Sequence, residues 1–359
     1  MKTLNYNYLS KLDHLRFFAA ILVIFHHCRG KIVYSGTIDS LSDLASLWLR
    51  WGSTGVSLFL VLSGFLFCII SDAGRKKIEY KSFIKNRILR IAPMATLFVF
   101  IVICINQAQS TPMDVLRLLT LQLNTGNPST GWGHQYYPMG PIWTIAVEFQ
   151  FYLLFPFLII FMKKDGIKTI SGIIIVFILI KISLVIFNGT GVYPRLYHSI
   201  IGRLDQFLIG MIAGYFYLKG YFRETNFISA TMIVIALVGI TAFMHFNSQN
   251  SPLFIPFSFT IEAFFWCLLI YGYVSCNIKI PKKFDMALAY LGNLSFSMYL
   301  LHLAVSKAAY LTILNPPKNN IEAVTNAAFL IIPITIILSI ITFKFIEKPF
   351  LELRIKYTK

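Results

Sequence analysis

Residues 12–28 read Leu12-Asp13-His14-Leu15-Arg16-Phe17-Phe18-Ala19-Ala20-Ile21-Leu22-Val23-Ile24-Phe25-His26-His27-Cys28. This is an apolar run with an arginine near one end and two histidines near the other. A hydrocarbon core of about 30 Å takes ~20 helical residues, and within it every backbone polar group must be bonded internally. The run therefore reads as a membrane-spanning helix. Lys2 and Lys11 ahead of it mimic a secretory leader, but it ends in Phe25-His26-His27-Cys28-Arg29 with no small-residue cleavage site, so the helix is expected to be retained.

Working outward, the same pattern recurs along the chain. Apolar windows lie near residues 12–32, 54–71, 86–106, 143–162, 167–187, 199–218, 228–246, 254–275, 286–306 and 326–346. The fold class expected is all-α: a polytopic transmembrane helix bundle of about ten spans, one integral-membrane domain over residues 1–359. Composition agrees. Hydrophobic residues make up 57% of the chain and charged residues 13%, and mean hydropathy is +0.69; a soluble domain keeps about a quarter of its residues charged. The multi-pass membrane protein has lipid as its first partner.

The net charge of +17 would suggest nucleic acid in a soluble protein, but its placement argues for topology and against nucleic acid. With the N-terminus inside, the basic clusters Arg75-Lys76-Lys77, Lys163-Lys164, Lys282-Lys283 and Arg354-Ile355-Lys356 all fall on the cytoplasmic side. Outward segments hold only scattered cations such as Arg50, Arg117, Arg195 and Lys318. Both termini are thus expected in the cytoplasm. Cys28, Cys68, Cys104, Cys267 and Cys276 form no CxxC and are odd in number, so they read as small buried hydrophobes and no metal site is expected.

Ionisable groups inside spans are costly and mark functional candidates. Arg16 and His27 are eleven residues apart, three turns plus about 20°, so they share one helix stripe about 16 Å apart. A snorkelling side chain would explain Arg16 alone; adjacent histidines deep in an apolar helix are harder to dismiss. Arg87 and Arg90 form an RxxR one turn apart. By spacing alone they fit ordinary positive-inside charge and a guanidinium site for phosphate equally. Trp143 opens a further span as an interfacial aromatic, and Glu148 lies about 7 Å deeper, at a depth suited to orienting a histidine. For Lys181, Arg203, Asp205, Glu262 and His302 the expected role is structural, with Arg203 and Asp205 pairing elsewhere because their spacing is poor for mutual contact. The long outward loop near residues 107–142 carries Trp132, His134, Tyr136 and Tyr137, rings able to stack on sugar faces.

Together these motifs resemble the acyltransferase-3 family of membrane-bound O-acyltransferases. Arg16 and His27 match its R-x10-H pair, Gly55–Phe65 its second-helix signature and Arg87-Ile88-Leu89-Arg90 its RxxR. Ile142–Ile145 with Glu148, Phe151 and Tyr152 matches another motif; Arg203…Phe207…Gly210, Ser295–His302 and Glu347-Lys348-Pro349 complete the order. The chain departs from the pattern at His14, where Gly is common, and at Phe149, where a second Glu is common. It looks like the stand-alone form, without an appended extracytoplasmic domain.

The resemblance implies an O-acetyltransferase of the bacterial inner membrane. An acyl group, commonly acetyl, would pass from cytoplasmic acyl-CoA (acetyl-CoA) to a hydroxyl of an extracytoplasmic surface glycan or its lipid-linked precursor. Lipopolysaccharide, common antigen, capsule, exopolysaccharide and peptidoglycan all fit as acceptors. His27 and Glu148 are then the expected catalytic residues, Arg16, Arg87 and Arg90 the donor-binding ones, and Trp143 and Arg203 the substrate-binding ones. The rival class is a secondary transporter or glycan exporter, which also places ionisable groups at mid-membrane. The absence of visible repeats and the RxxR count against it.

Overall fold

The computed structural model describes residues 8–28, 34–105, 107–122, 124, 142–221, 225–247 and 254–359. The aromatic loop residues Trp132, His134, Tyr136 and Tyr137 lie outside the described residues.

Sixteen α-helices follow in order among the described residues: α1 Ser10–Cys28, α2 Leu41–Arg50, α3 Thr54–Ile70, α4 Tyr80–Ile105, α5 Pro112–Thr120, α6 Trp143–Asp165, α7 Ile167–Asn188, α8 Tyr193–Tyr197, α9 Ile200–Lys219, α10 Asn226–Asn247, α11 Ile255–Ser275, α12 Lys282–Asn293, α13 Ser295–Thr312, α14 Asn320–Asn326, α15 Ile332–Thr342 and α16 Lys348–Glu352. The protein is an all-helical membrane bundle. Helix ends follow local chemistry. Ser40 and Ser199 cap α2 and α9 by accepting from the amides of Asp43 and Gly202, and Gly220 closes α9 at φ +76°, a conformation that glycine adopts without steric cost.

Six helical segments are long and apolar enough to cross a membrane: Tyr80–Ile105, Trp143–Asp165, Ile167–Tyr197, Asn226–Phe246, Ile255–Ser275 and Asn320–Glu352. Two bent pairs, α2 with α3 and α12 with α13, raise the count to eight if each is one broken span. The ten windows of the sequence exceed these by α1 and α9. The difference has a physical cause: α1 carries Lys11, Asp13 and Arg16, and α9 carries Arg203 and Asp205. These two helices lie against the core, where protein replaces lipid around their charges.

Small residues let these polar helices approach closely. A Cβ on Gly64 of α3 would lie 2.0 Å from the carbonyl oxygen of Phe207 in α9, and one on Gly210 of α9 would lie 2.1 Å from that of Val61. Gly55 sits likewise against Ala19 of α1, and Gly292 of α12 against Asp13. Close backbone contact of this kind stands in for the hydrophobic drive that helices in lipid lack. The centre so formed is α1, α3 and α9, flanked by α6, α11, α12 and α13.

Buried charge is paired at the centre. Lys181 of α7 and Asp205 of α9 are both fully buried and 2.6 Å apart, and Thr260 of α11 also donates to Asp205. Arg203 donates to Ser57, Gln206 and the Tyr197 carbonyl, and lies 3.9 Å from Glu262. Arg203 and Asp205 therefore take different partners, as their spacing requires. His14, the departure from the family pattern, bonds Tyr273 at 2.9 Å and sits 3.4 Å from Asp285, joining α1 to α11 and α12.

Candidate active site

At the face where both ends of the described chain meet, a cavity of about 240 Å³ opens between α1, α3, α4, α6 and α13. Four arginines line it: Arg16 from α1, Arg87 and Arg90 from α4, and Arg354 from the C-terminal tail. The helix register explains the first three. Arg87 and Arg90 fall one turn apart on one face of α4, and Arg16 falls on the stripe of α1 that faces them.

The four guanidinium groups are not equally compensated. Arg16 pairs with Asp13 at 2.8 Å. Arg90 pairs with the buried Glu347 at 3.2 Å, a carboxylate delivered by a π-turn over Phe343–Glu347 and also bonded by Ser297. Arg87 has no carboxylate partner among the described residues. Its guanidinium carbon is instead enclosed by the rings of Phe67, Phe83, Tyr152 and Tyr357, with centroids 5.1, 5.4, 5.7 and 5.8 Å away. Ring faces and edges make no conventional hydrogen bonds to a guanidinium, so its N–H donors remain suited to an anion.

The C-terminal tail is built into this wall. Asn86 donates to the carbonyl of Ile355 at 2.6 Å and accepts from its amide at 3.0 Å. Backbone pairing of Glu79 with Tyr357, and of Lys77 with Lys359 in both directions, fixes the rest. Tyr357 is buried against Phe83. Burial raises the Tyr357 phenol above its ordinary value, with Arg87 and Arg354 opposing, so near neutral pH it is an uncharged donor.

Tyr299 of α13 also lines the cavity, where its hydroxyl accepts from Thr144 of α6 at 2.9 Å. Glu148 lines the same cavity, and its carboxylate accepts from Ser63 and Tyr152. Glu148 is thus anchored on the arginine side. The ring that bonds His27 belongs to another residue: His302 Nε2 lies 3.0 Å from His27 Nδ1. His302 is fully buried and its ring is 5.9 Å from that of Tyr299. His27, on the last turn of α1, is exposed. Tyr299 thus lines the cavity with the arginines and lies beside His302, which in turn contacts His27.

His26 takes a different direction, with Nδ1 2.5 Å from the carbonyl oxygen of Arg50. Trp143 and Arg203 come together, with the guanidinium 5.5 Å from the indole and nearer still to Tyr197 and Phe259. The space beside Arg203 measures only about 30 Å³, which holds a water and not a sugar ring. Sequence reasoning missed Arg354 and Tyr357, and gave His302 a packing role. The signals were present in the Ser295–His302 stretch and the basic tail, but neither reveals its partner across the fold.

The structure is a polytopic bundle with arginines lining one cavity and a histidine pair on α1 and α13, and the chain belongs to the Acyl_transf_3 family of acyltransferases, whose acyltransferase-domain profile matches residues 9–344. Among relatives, the O-acetyltransferase OatA of Staphylococcus aureus (strain NCTC 8325 / PS 47) is 28% identical, over 82% of this chain and 50% of its own. YrhL of Bacillus subtilis (strain 168), provisionally named a peptidoglycan O-acetyltransferase, is 24% identical over 97% of this chain and 56% of its own. The chain spans about half the length of the curated relatives it matches. No solved structure matches it.

Proposed function

We propose that the protein moves an acyl group, by preference acetyl, from cytoplasmic acyl-CoA to a hydroxyl of an extracytoplasmic surface glycan. In this reading residues 1–359 form one domain in the bacterial inner membrane, with ten spans and both termini inside. The observation that carries it is the cavity with four arginines, of which Arg87 has no carboxylate partner among the described residues. A site of this charge suits the phosphates of CoA, which guanidinium groups hold through paired hydrogen bonds. A transporter or glycan exporter remains the rival reading, and the RxxR of Arg87 and Arg90 at the cavity favours the transferase over it.

His27 is the base. A sugar hydroxyl is a poor nucleophile at neutral pH, and a positioned base contributes typically ~10²–10⁴-fold. The hydroxyl proton passes to His27 as the oxygen attacks the thioester carbon; the C–S bond breaks and the CoA sulfur leaves with a proton returned from the imidazolium. The names of the relatives support acetyl as the group and peptidoglycan as one acceptor among the surface glycans. Comparing the surface glycans of cells with and without the protein tests the reading: an O-acyl group lost on deletion and restored by the gene is the expected result.

A further inference from the structure

We infer that His302 is the positioning residue of the base, holding the His27 ring with Nδ1 protonated so that Nε2 carries the basic lone pair. The inference rests on the reading of His27 as the base and goes beyond it by assigning protons to ring atoms.

The assignment follows from four atoms. His302 Nδ1 lies 3.3 Å from the carbonyl oxygen of Met298. A carbonyl only accepts, so that nitrogen carries a proton. A fully buried imidazole is costly to charge, so the ring is neutral and its Nε2 is an acceptor. The contact of 3.0 Å between that Nε2 and His27 Nδ1 then requires the proton on His27. An independent contact agrees: His27 Nδ1 is also 3.1 Å from the carbonyl oxygen of Val23, one turn back in α1. The opposite arrangement, with His302 donating, would set the Nδ1 lone pair of His27 against that carbonyl.

The consequence is chemical. When His27 takes the hydroxyl proton on Nε2 it becomes an imidazolium whose Nδ1–H already points at a neutral acceptor. The proton on Nδ1 need not move, and His302 stabilises the charge as it forms. A carboxylate does this work in the serine hydrolase triad; here a neutral imidazole on α13 does it, while Glu148 remains with Ser63 and Tyr152. His302 also joins the two ends of the site, because α13 carries Tyr299 at the cavity wall one turn away.

The test uses the full chain in native membranes. His302→Leu should lower kcat for acetyl transfer by ~10–100-fold, the scale on which outer-shell partners of functional histidines act, with the KM for acetyl-CoA unchanged. His302→Gln, whose amide oxygen can accept from His27 Nδ1–H, should recover most of kcat. Imidazole ¹⁵N spectra of histidine-labelled protein, with His27 assigned through His27→Gln, should show an unprotonated Nε2. His302→Leu with wild-type kcat, or His302→Gln as impaired as His302→Leu, would overturn the positioning role. A protonated Nε2 on neutral His27 would overturn it whatever the activity. If instead His27→Gln itself transfers acetyl at the wild-type rate, the function of His27 as base is what fails, and the inference with it.

Discussion

The guanidinium carbon of Arg87 lies 5.8 Å from the ring centroid of Tyr357, although one stands in α4 and the other is followed only by Thr358 and Lys359. The contact makes the C-terminal tail part of the cavity. Arg87→Ala should weaken acyl-CoA binding by ~10–100-fold, since a hydrogen bond to a charged group is worth about 1.5–3 kcal/mol. Equilibrium binding of labelled CoA to purified protein reads this directly. Removal of residues 354–359 should have a comparable effect, because it takes away Arg354 and one of the four rings around Arg87 together. Unchanged affinity in both variants would remove the phosphate role.

Lys181→Met should destabilise the bundle by about 3–5 kcal/mol, the cost of leaving one buried charge without its partner. Asp205 would retain Thr260 as a donor but no cation at 2.6 Å. Combining Lys181→Met with Asp205→Asn should recover much of the loss. Thermal unfolding in detergent distinguishes the two, and a Lys181→Met protein as stable as wild type would contradict the pairing.

Gly64→Val and Gly210→Val should each prevent proper assembly of α3 on α9. The added Cβ would meet a backbone carbonyl at 2.0 Å or 2.1 Å, and no rotamer change relieves contact with backbone. Overpacking costs typically about 1–3 kcal/mol even where side chains can yield. Protease resistance of the membrane-inserted protein measures it, with Gly172→Val as the control, because a Cβ there meets nothing within 4 Å.

The sequence is most legible where one-dimensional rules apply. Apolar length locates the helices, and helical arithmetic puts Arg87 and Arg90 on one face and Arg16 with His27 on one stripe. Counting charge also explains why α1 and α9 differ from the other helices: Arg16 faces the cavity, and Arg203 and Asp205 sit in packed protein. Contacts between distant segments are illegible in the same terms. Nothing in the spacing of Glu148 shows that Ser63 and Tyr152 claim its carboxylate, and nothing in the tail shows Tyr357 near Arg87. His302 was hardest of all, because a buried histidine on an apolar helix looks alike whether it packs or positions a ring. The 3.0 Å contact with His27 comes from a residue 275 positions away, a pairing that spacing along the chain does not show.

The proposed reaction has His27 as the base for transfer of an acetyl group from acetyl-CoA to a surface glycan. It is tested most directly by following radiolabel from acetyl-CoA into glycan in membranes holding equal amounts of folded wild-type, His26→Ala and His27→Ala protein. Label should be transferred by the wild type and by His26→Ala, because the His26 ring faces the Arg50 carbonyl, and not by His27→Ala. Transfer by His27→Ala at the wild-type rate, or no transfer from acetyl-CoA by the wild type, would contradict it.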